Sequence, residues 1–267
     1  MSAVEIRELD APADLDELAR VFDDVWHPDP SNRPVATDML RALAHSGNYV
    51  VGAYVDGRLA GGSVGFFGAP VGEVLHSHMT GVNRLGSGHQ LGYAIKLHQR
   101  AWARERGLST ITWTFDPLVA RNAYFNIVKL GAHPTQYHRD FYGDIGDEIN
   151  GGDESDRVVM SWPIGDDDPP APPGAPADAH PLIYTDDHGH PVVGEVSPLE
   201  TDSLLIPIPT DIETMRRQDP RAAAHWRAAL RTVLEPLLST ERPIGFLRSG
   251  CYVLGPATAA TQKGESA

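Results

Sequence analysis

The chain has 267 residues, enough for one large domain or two modest ones, and its 41% hydrophobic content is ordinary for a protein with a buried core. Its formal charge of −14 argues against a nucleic-acid partner, because phosphate binding draws on clustered Lys and Arg. The single cysteine, Cys251, excludes an intramolecular disulfide and a Cys-rich zinc site, and the N-terminus MSAVEIRELD lacks the basic and apolar stretches of a signal peptide.

Elements alternate through the first 164 residues as in an α/β (α+β) domain. VEIREL predicts a short strand. PADLDELARVFDDVW carries Leu15, Leu18, Ala19, Phe22, Val25 and Trp26 at the spacing of one helix face. ATDMLRALAHSG predicts a second helix, stopped by Gly47. YVVGAYVDGRLAGGSVGFFG reads as a hairpin turned at Asp56-Gly57, a dipeptide that tolerates positive φ. The strand EVLHSHMTGV then runs into the glycine-rich VNRLGSGHQLGYAIK, which opens the helix LGYAIKLHQRAWARERG with Leu91, Ala94, Ile95, His98 and Trp102 on one face. STITWTF alternates as a strand, VARNAYFNIVKLGA predicts a helix, and RVVMSWPI a late strand. Between the last two, residues 141–157 are acidic and glycine-rich and predict a loop whose spacing does not fit an EF-hand.

Residues 165–180, GDDDPPAPPGAPADAH, have the composition of a semi-extended linker, and residues 257–267 that of a disordered tail. Residues 181–256 predict a small β-α-β unit too slight to stand alone, docked on residues 1–164. Its elements are a hairpin in PLIYTDDHGHPVVGE, a strand SLLIPIP and a short helix opened by a Thr210/Glu213 capping box. A longer helix from Asp219-Pro220 through Trp226, Leu230, Val233 and Leu237 follows, bent near its end by Pro236, and then a hairpin about Ser249-Gly250. Trp226 and Cys251 fall in apolar runs and read as core. No run approaches the roughly 20 apolar residues of a membrane span, so a cytoplasmic protein without membrane contact is expected.

A strand, a glycine-rich turn and a helix together make a phosphate-holding device. The first N–H groups of the helix lack partners, its dipole adds partial positive charge, and Gly86, Gly88 and Gly92 permit close approach. A dinucleotide site would need an acid on the following strand, and STITWTF has none in its body.

The segments LHSHM, LGYAIKLHQR and WTFDPLVARNAYFNIVKLGA resemble a subgroup of predicted acyltransferases within the GNAT superfamily of CoA-dependent N-acyltransferases. The resemblance covers about residues 4–164 and, more loosely, the C-terminal unit. It implies the GNAT fold, a mixed and mostly antiparallel sheet flanked by helices, with acetyl-CoA or another acyl-CoA as co-substrate and no metal. Gly88 lies six residues after Val82, the register of the family's pyrophosphate-binding turn; Ser87 and Gln90 depart from its usual Arg or Gln and Gly. The implied cofactor-binding set is Val82, Arg84, Gly88, His89, Gln90, Leu91, Gly92 and Tyr93, joined by Asn126; Arg84, Lys96 or Arg100 would supply positive charge. The strand before the turn would splay from its neighbour, leaving an edge on which the pantetheine arm pairs with Val82.

His76, His78, Thr80 and Val82 would share a face by alternation, and the family often places its general base on this strand, so His76 and His78 are the candidate bases. They lack a third partner for a metal. Ile127 occupies the offset, two residues before Lys129, at which the family carries a tyrosine acid. Tyr124 or Tyr142 would donate that proton from elsewhere, and Asn122 and Asn126 would contact pantetheine or substrate. Asp116, at the end of a strand, either binds a substrate amine or is a helix cap ahead of Pro117.

The expected reaction is transfer of an acetyl, or alternatively a succinyl, group to a small amine such as an amino acid by direct attack on the thioester. An acidic surface suits a cationic substrate, although it serves solubility more commonly. A non-catalytic acyl-CoA-binding module and an acyl-CoA decarboxylase are the alternatives, and a homodimer is left open.

Overall fold

The computed structural model describes residues 3–28, 33–143, 152–165, 174–194, 203–240 and 242–256. Residues 166–173 of the expected linker, 144–151 of the acidic loop and the whole tail from 257 lie outside the described residues. The chain forms two compact units that interleave along the sequence. The first comprises Met1–Thr114, Asp144–Gly152 and Ser161–Asp168; the second comprises Phe115–Gly143, Asp153–Met160 and Pro169–Ala267.

In the first unit β1 (Val4–Glu8), α1 (Pro12–Trp26), α2 (Thr37–His45), β2 (Tyr49–Val55), β3 (Arg58–Phe67), β4 (Val74–Val82) and α3 (Leu91–Glu105) follow in order, and β5 (Thr110–Phe115) leads out of it. Strands β1 to β4 pair antiparallel in sequence order, and β5 joins β4 in parallel. Asp56 (φ 48°) and Gly57 (φ 78°) are both left-handed, the conformation a two-residue hairpin turn demands. On one sheet face Leu15, Leu18 and Phe22 of α1 pack with Val50, Tyr54, Val64 and Met79. On the other, Leu91 and Ile95 of α3 pack with Ala53, Val55 and Ala60. Helix α1 approaches the sheet so closely that a Cβ on Gly62 would lie 2.4 Å from the Leu18 side chain and 2.5 Å from the Val51 carbonyl oxygen.

The second unit holds α4 (Ala120–Ala123), a π-helical segment (Tyr124–Lys129), β6 (His133–His138), most of β7 (Arg157–Pro163), β8 (His180–Pro181), β9 (Ile183–Thr185), β10 (Pro191–Val193), β11 (Leu204–Pro207), α5 (Ile212–Gln218), α6 (Pro220–Leu237), β12 (Ile244–Leu247) and β13 (Cys251–Leu254). The single helix expected over VARNAYFNIVKLGA is therefore divided. Its second part is wound wider, with the Leu130 N–H reaching back five residues to the Phe125 carbonyl. Strand β6, an edge strand beside β7, has no counterpart in the sequence reading: it is polar, has no fully buried residue and contains Pro134.

The C-terminal sheet runs β12-β13-β11-β8, and β9 and β10 form the expected hairpin. Along α6, Trp226, Leu230, Val233 and Leu237 are buried as the periodicity requires, and Pro236 sits in the last turn. The capping box is displaced by one residue. Asp211, not Thr210, caps α5 by accepting the Thr214 N–H at 2.9 Å, and Glu213 is drawn instead into an ion pair with Arg121.

Candidate functional site

In the first unit, β4 ends at Val82 and the chain turns through Asn83, whose side chain accepts the Leu85 N–H at 3.0 Å. A 3-10 turn over Arg84–Gly86 follows, and α3 starts at Leu91. Among the described residues, the N–H groups of Gly88, Gln90, Leu91 and Gly92 form no backbone hydrogen bond. Four unpartnered donors at the N-terminus of a 15-residue helix make a cradle for an anion. Gly88 (φ 81°) adopts the left-handed region without strain; Gln90 (φ 52°, ψ 28°) adopts it at a position that favours glycine. Gln90→Gly is therefore expected to stabilise the fold by up to about 1 kcal/mol, read as a higher urea midpoint at unchanged slope; a lower midpoint would contradict the strain argument.

Arg84, His89 and Gln90 are exposed beside this cradle, Leu91 is buried, and Gly92 and Tyr93 are half-buried. Of the three cations that the resemblance offers as phosphate partners, Arg84 alone flanks the turn. Arg100 donates to the Gly165 carbonyl at 2.9 Å and lies over the Trp162 ring, and Lys96 points into the sheet.

Strands β4 and β5 pair only at Val74↔Thr110, Leu75↔Ile111 and His76↔Thr112. Beyond His76, among the described residues β4 pairs with β3 alone, which leaves its other edge without a strand partner from Ser77 to Val82, and the two strands form a fork. The expected alternation of His76, His78, Thr80 and Val82 is broken inside the fork. Val64 stands opposite Met79 and Gly65 opposite Ser77, which leaves His78 as the extra residue of a β-bulge. Ser77 consequently reaches α3 while Met79, two residues on, joins the cluster beneath α1.

The rings of His76 and His78 are 6.2 Å apart, and Phe66 packs against both at 5.1 and 5.7 Å. His76 Nδ1 lies 3.3 Å from Thr112 Oγ1. Burial, with repulsion from His78 and Lys96, pulls His76 down to about 4, and burial also lowers His78. Both rings are therefore held toward the neutral form, with a nitrogen lone pair available.

At the base of the fork the structure places a group that sequence reasoning assigned elsewhere. Lys96 is 5% exposed, and its Nζ donates to Ser77 Oγ at 2.8 Å and to Gln99 Oε1 at 3.3 Å, 4.1 Å from the centre of the Trp113 ring. Among the described residues no carboxylate pairs with it. Burial alone pulls it down to about 7.

The remaining candidates belong to the second unit. Asp116 is buried with both oxygens taken: Arg227 binds it bidentately at 2.8 and 2.9 Å and Arg216 at 2.5 Å, while Oδ1 accepts the Leu118 N–H at 2.9 Å. The helix that follows is capped by Val119, so Asp116 is not its N-cap, and its carboxylate is committed to arginines rather than presented to an amine. Asn126 is buried in the π-helical segment, where its carbonyl accepts the Ala132 N–H, and Asn122 is exposed. The Tyr124 hydroxyl accepts from Arg248 Nε at 2.9 Å. Tyr142, 42% exposed, stacks edge-on against Phe141 with Arg157 over its ring. Cys251 is buried, which pushes its thiol up to about 11, as suits a core residue.

No protein-family model matches the chain, and no curated protein matches it significantly. Solved structures share its architecture. The ribosomal-protein-S18-alanine N-acetyltransferase from Escherichia coli is 15% identical with a TM-score of 0.50, the match covering 62% of this chain and 97% of that one. A protein from Desulfovibrio desulfuricans assigned to the GNAT acetyltransferases is 17% identical, also at 0.50, over 61% of this chain and 100% of its own. With its mixed, mostly antiparallel sheet, the forked β4 and β5 and the glycine turn between β4 and α3, the chain has the fold of the GNAT acetyltransferases.

Proposed function

We propose that the protein is an acyl-CoA-dependent N-acyltransferase that transfers an acetyl or succinyl group to a small amine in the cytoplasm. The observation that carries this reading is the fork. A strand edge left free from Ser77 to Val82 leads to four unpartnered N–H groups at the start of α3. An extended pantetheine arm can add to such an edge as a strand while its pyrophosphate rests on the cradle. The thioester carbonyl then lies along β4, whose free N–H groups polarise it. Neutral His76 or His78 accepts the proton of the incoming ammonium, directly or through one water, and the freed amine attacks the carbonyl carbon.

CoA-thiol release with acetyl-CoA and a panel of amines tests the reading. Turnover should depend on the amine, and His76→Ala or His78→Ala should lower kcat by about 10²–10⁴-fold, the usual worth of a positioned base. Equal turnover in both single variants would remove the histidines from the mechanism. Ile127, standing where a tyrosine acid is common among relatives, and Tyr124, whose hydroxyl is held by Arg248, favour one other reading: a module that binds acyl-CoA without transferring it. Tight acetyl-CoA binding with no thiol release for any amine would establish that reading instead.

A further inference from the structure

We propose that Lys96 is an internal acyl acceptor, a lysine that becomes acylated by the acyl-CoA held in the fork between β4 and β5. The proposal rests on the acyl-CoA reading above and adds a modification site to it. Ser77 and Trp113 are the first residues of β4 and β5 beyond their last pair, His76↔Thr112. Lys96 Nζ reaches both, at 2.8 Å from Ser77 Oγ and 4.1 Å from the centre of the Trp113 ring, so its nitrogen sits over the point at which the strands part.

The residue type is informative. Of 22 Lys and Arg residues only three are lysines, Lys96, Lys129 and Lys263, so the chain meets nearly every need for a cation with arginine. Arginine cannot shed its proton and attack a carbonyl; lysine can. The groups around Nζ are Ser77 and, more distantly, His76 from β4, Trp113 from β5 and Gln99 from α3. None of them supplies negative charge to hold the ammonium form, and burial brings the amine down to about 7, where a large share is the neutral nucleophile at neutral pH.

In the reaction the Nζ lone pair forms a bond to the thioester carbonyl carbon as the carbon–sulfur bond breaks. The proton shed by the nitrogen goes to the departing sulfur, so CoA leaves as the thiol and the side chain becomes an N-acyl amide. No further reactant is required. The amide removes the one buried ammonium of the first unit's α3 and with it the repulsion felt by His76.

The test is mass spectrometry on the full-length protein incubated with acetyl-CoA and no amine. One acetyl group should be gained, peptide mapping should place it on Lys96, and the rate should be half-maximal near pH 7 rather than rising to pH 10. The N-hydroxysuccinimide ester of acetic acid, which arrives from bulk solvent, should instead label the exposed Lys129 and leave Lys96 unmodified at short times. Acetyl-CoA binding is measured separately by calorimetry. Binding with an unmodified Lys96, or acetylation of Lys129 and Lys263 alone, overturns this inference and leaves the proposed function standing; no binding overturns the proposed function itself. Lys96→Arg, checked for folding by its thermal midpoint, should bind acetyl-CoA and gain no acetyl group.

Discussion

Asp116→Asn should lower the unfolding free energy by about 3–5 kcal/mol, the cost of removing one partner from a buried ion pair. Asp116 and Asp153 each pair with both Arg216 and Arg227, with Asp153 2.8 Å from Arg227 and 3.0 Å from Arg216. The amide would take one carboxylate charge away from two buried guanidiniums. Burial pushes the Asp116 carboxyl up, but Arg227 and Arg216 outweigh it and hold the group well below the usual carboxylate range. Its stabilisation is therefore fully present above about pH 4, the unfolded value, and is lost only as pH falls through the lower folded value. Urea unfolding at pH 7 gives the first number and an acid titration of stability the second. A loss under about 1 kcal/mol would show that water or a rearranged arginine replaces the carboxylate. Asp116→Asn combined with Arg227→Met should cost less than the sum of the single changes, because the second removes a charge that the first strands.

Lys96→Met should act in the opposite direction, stabilising the fold by several kcal/mol at and below neutral pH. The folded protein holds this amine near 7 and the unfolded chain near 10.4, so between those values only the unfolded state binds the proton. Wild-type stability accordingly rises with pH across that window, by up to about 1.4 kcal/mol per unit, and the charge penalty is complete below it. Methionine carries no such penalty and fills a similar volume. Its advantage should be greatest at pH 6 and shrink toward pH 10, which urea titrations at pH 6, 8 and 9.5 can follow. A difference that stays constant with pH would mean that the lysine keeps its proton in the folded state.

Local signals in the sequence were sufficient for most of the first unit. Asp56-Gly57 specifies a hairpin through its own backbone preferences, and the stripe Leu15, Leu18, Phe22 specifies the buried side of α1 without reference to any other segment. The glycines between Val82 and Leu91 likewise mark the anion cradle. What escaped depends on partners remote in the chain. The bulge at His78 is a property of the register between β3 and β4, which a strict alternation rule cannot contain. Lys96, which the resemblance offers as a partner for phosphate, is placed under β4 only by its bond to Ser77, a contact that no local pattern on α3 announces. Asp116 follows a strand and precedes Pro117, a purely local setting; its arginine partners, 100 and 111 residues away, left no mark near it. The shift of the α5 cap from Thr210 to Asp211 has a nearer cause, since either residue fits the motif and the pairing of Glu213 with Arg121 favours the later start.

The separation of Asp116 from Arg227 also sets an order of events during synthesis. At about 5–20 residues per second, the ribosome delivers Arg227 on the order of 10 s after Asp116. Through that interval the carboxylate has neither guanidinium to neutralise it, and a carboxylate without a counter-charge remains in water rather than entering a core. The nascent second unit must therefore wait, with Asp116 and its neighbours hydrated, until α6 has emerged. The first unit's β1 to β4 pair with one another within residues 4–82, and β5 and α3, which complete their contacts, have followed by Phe115, so this part is free to form well before then.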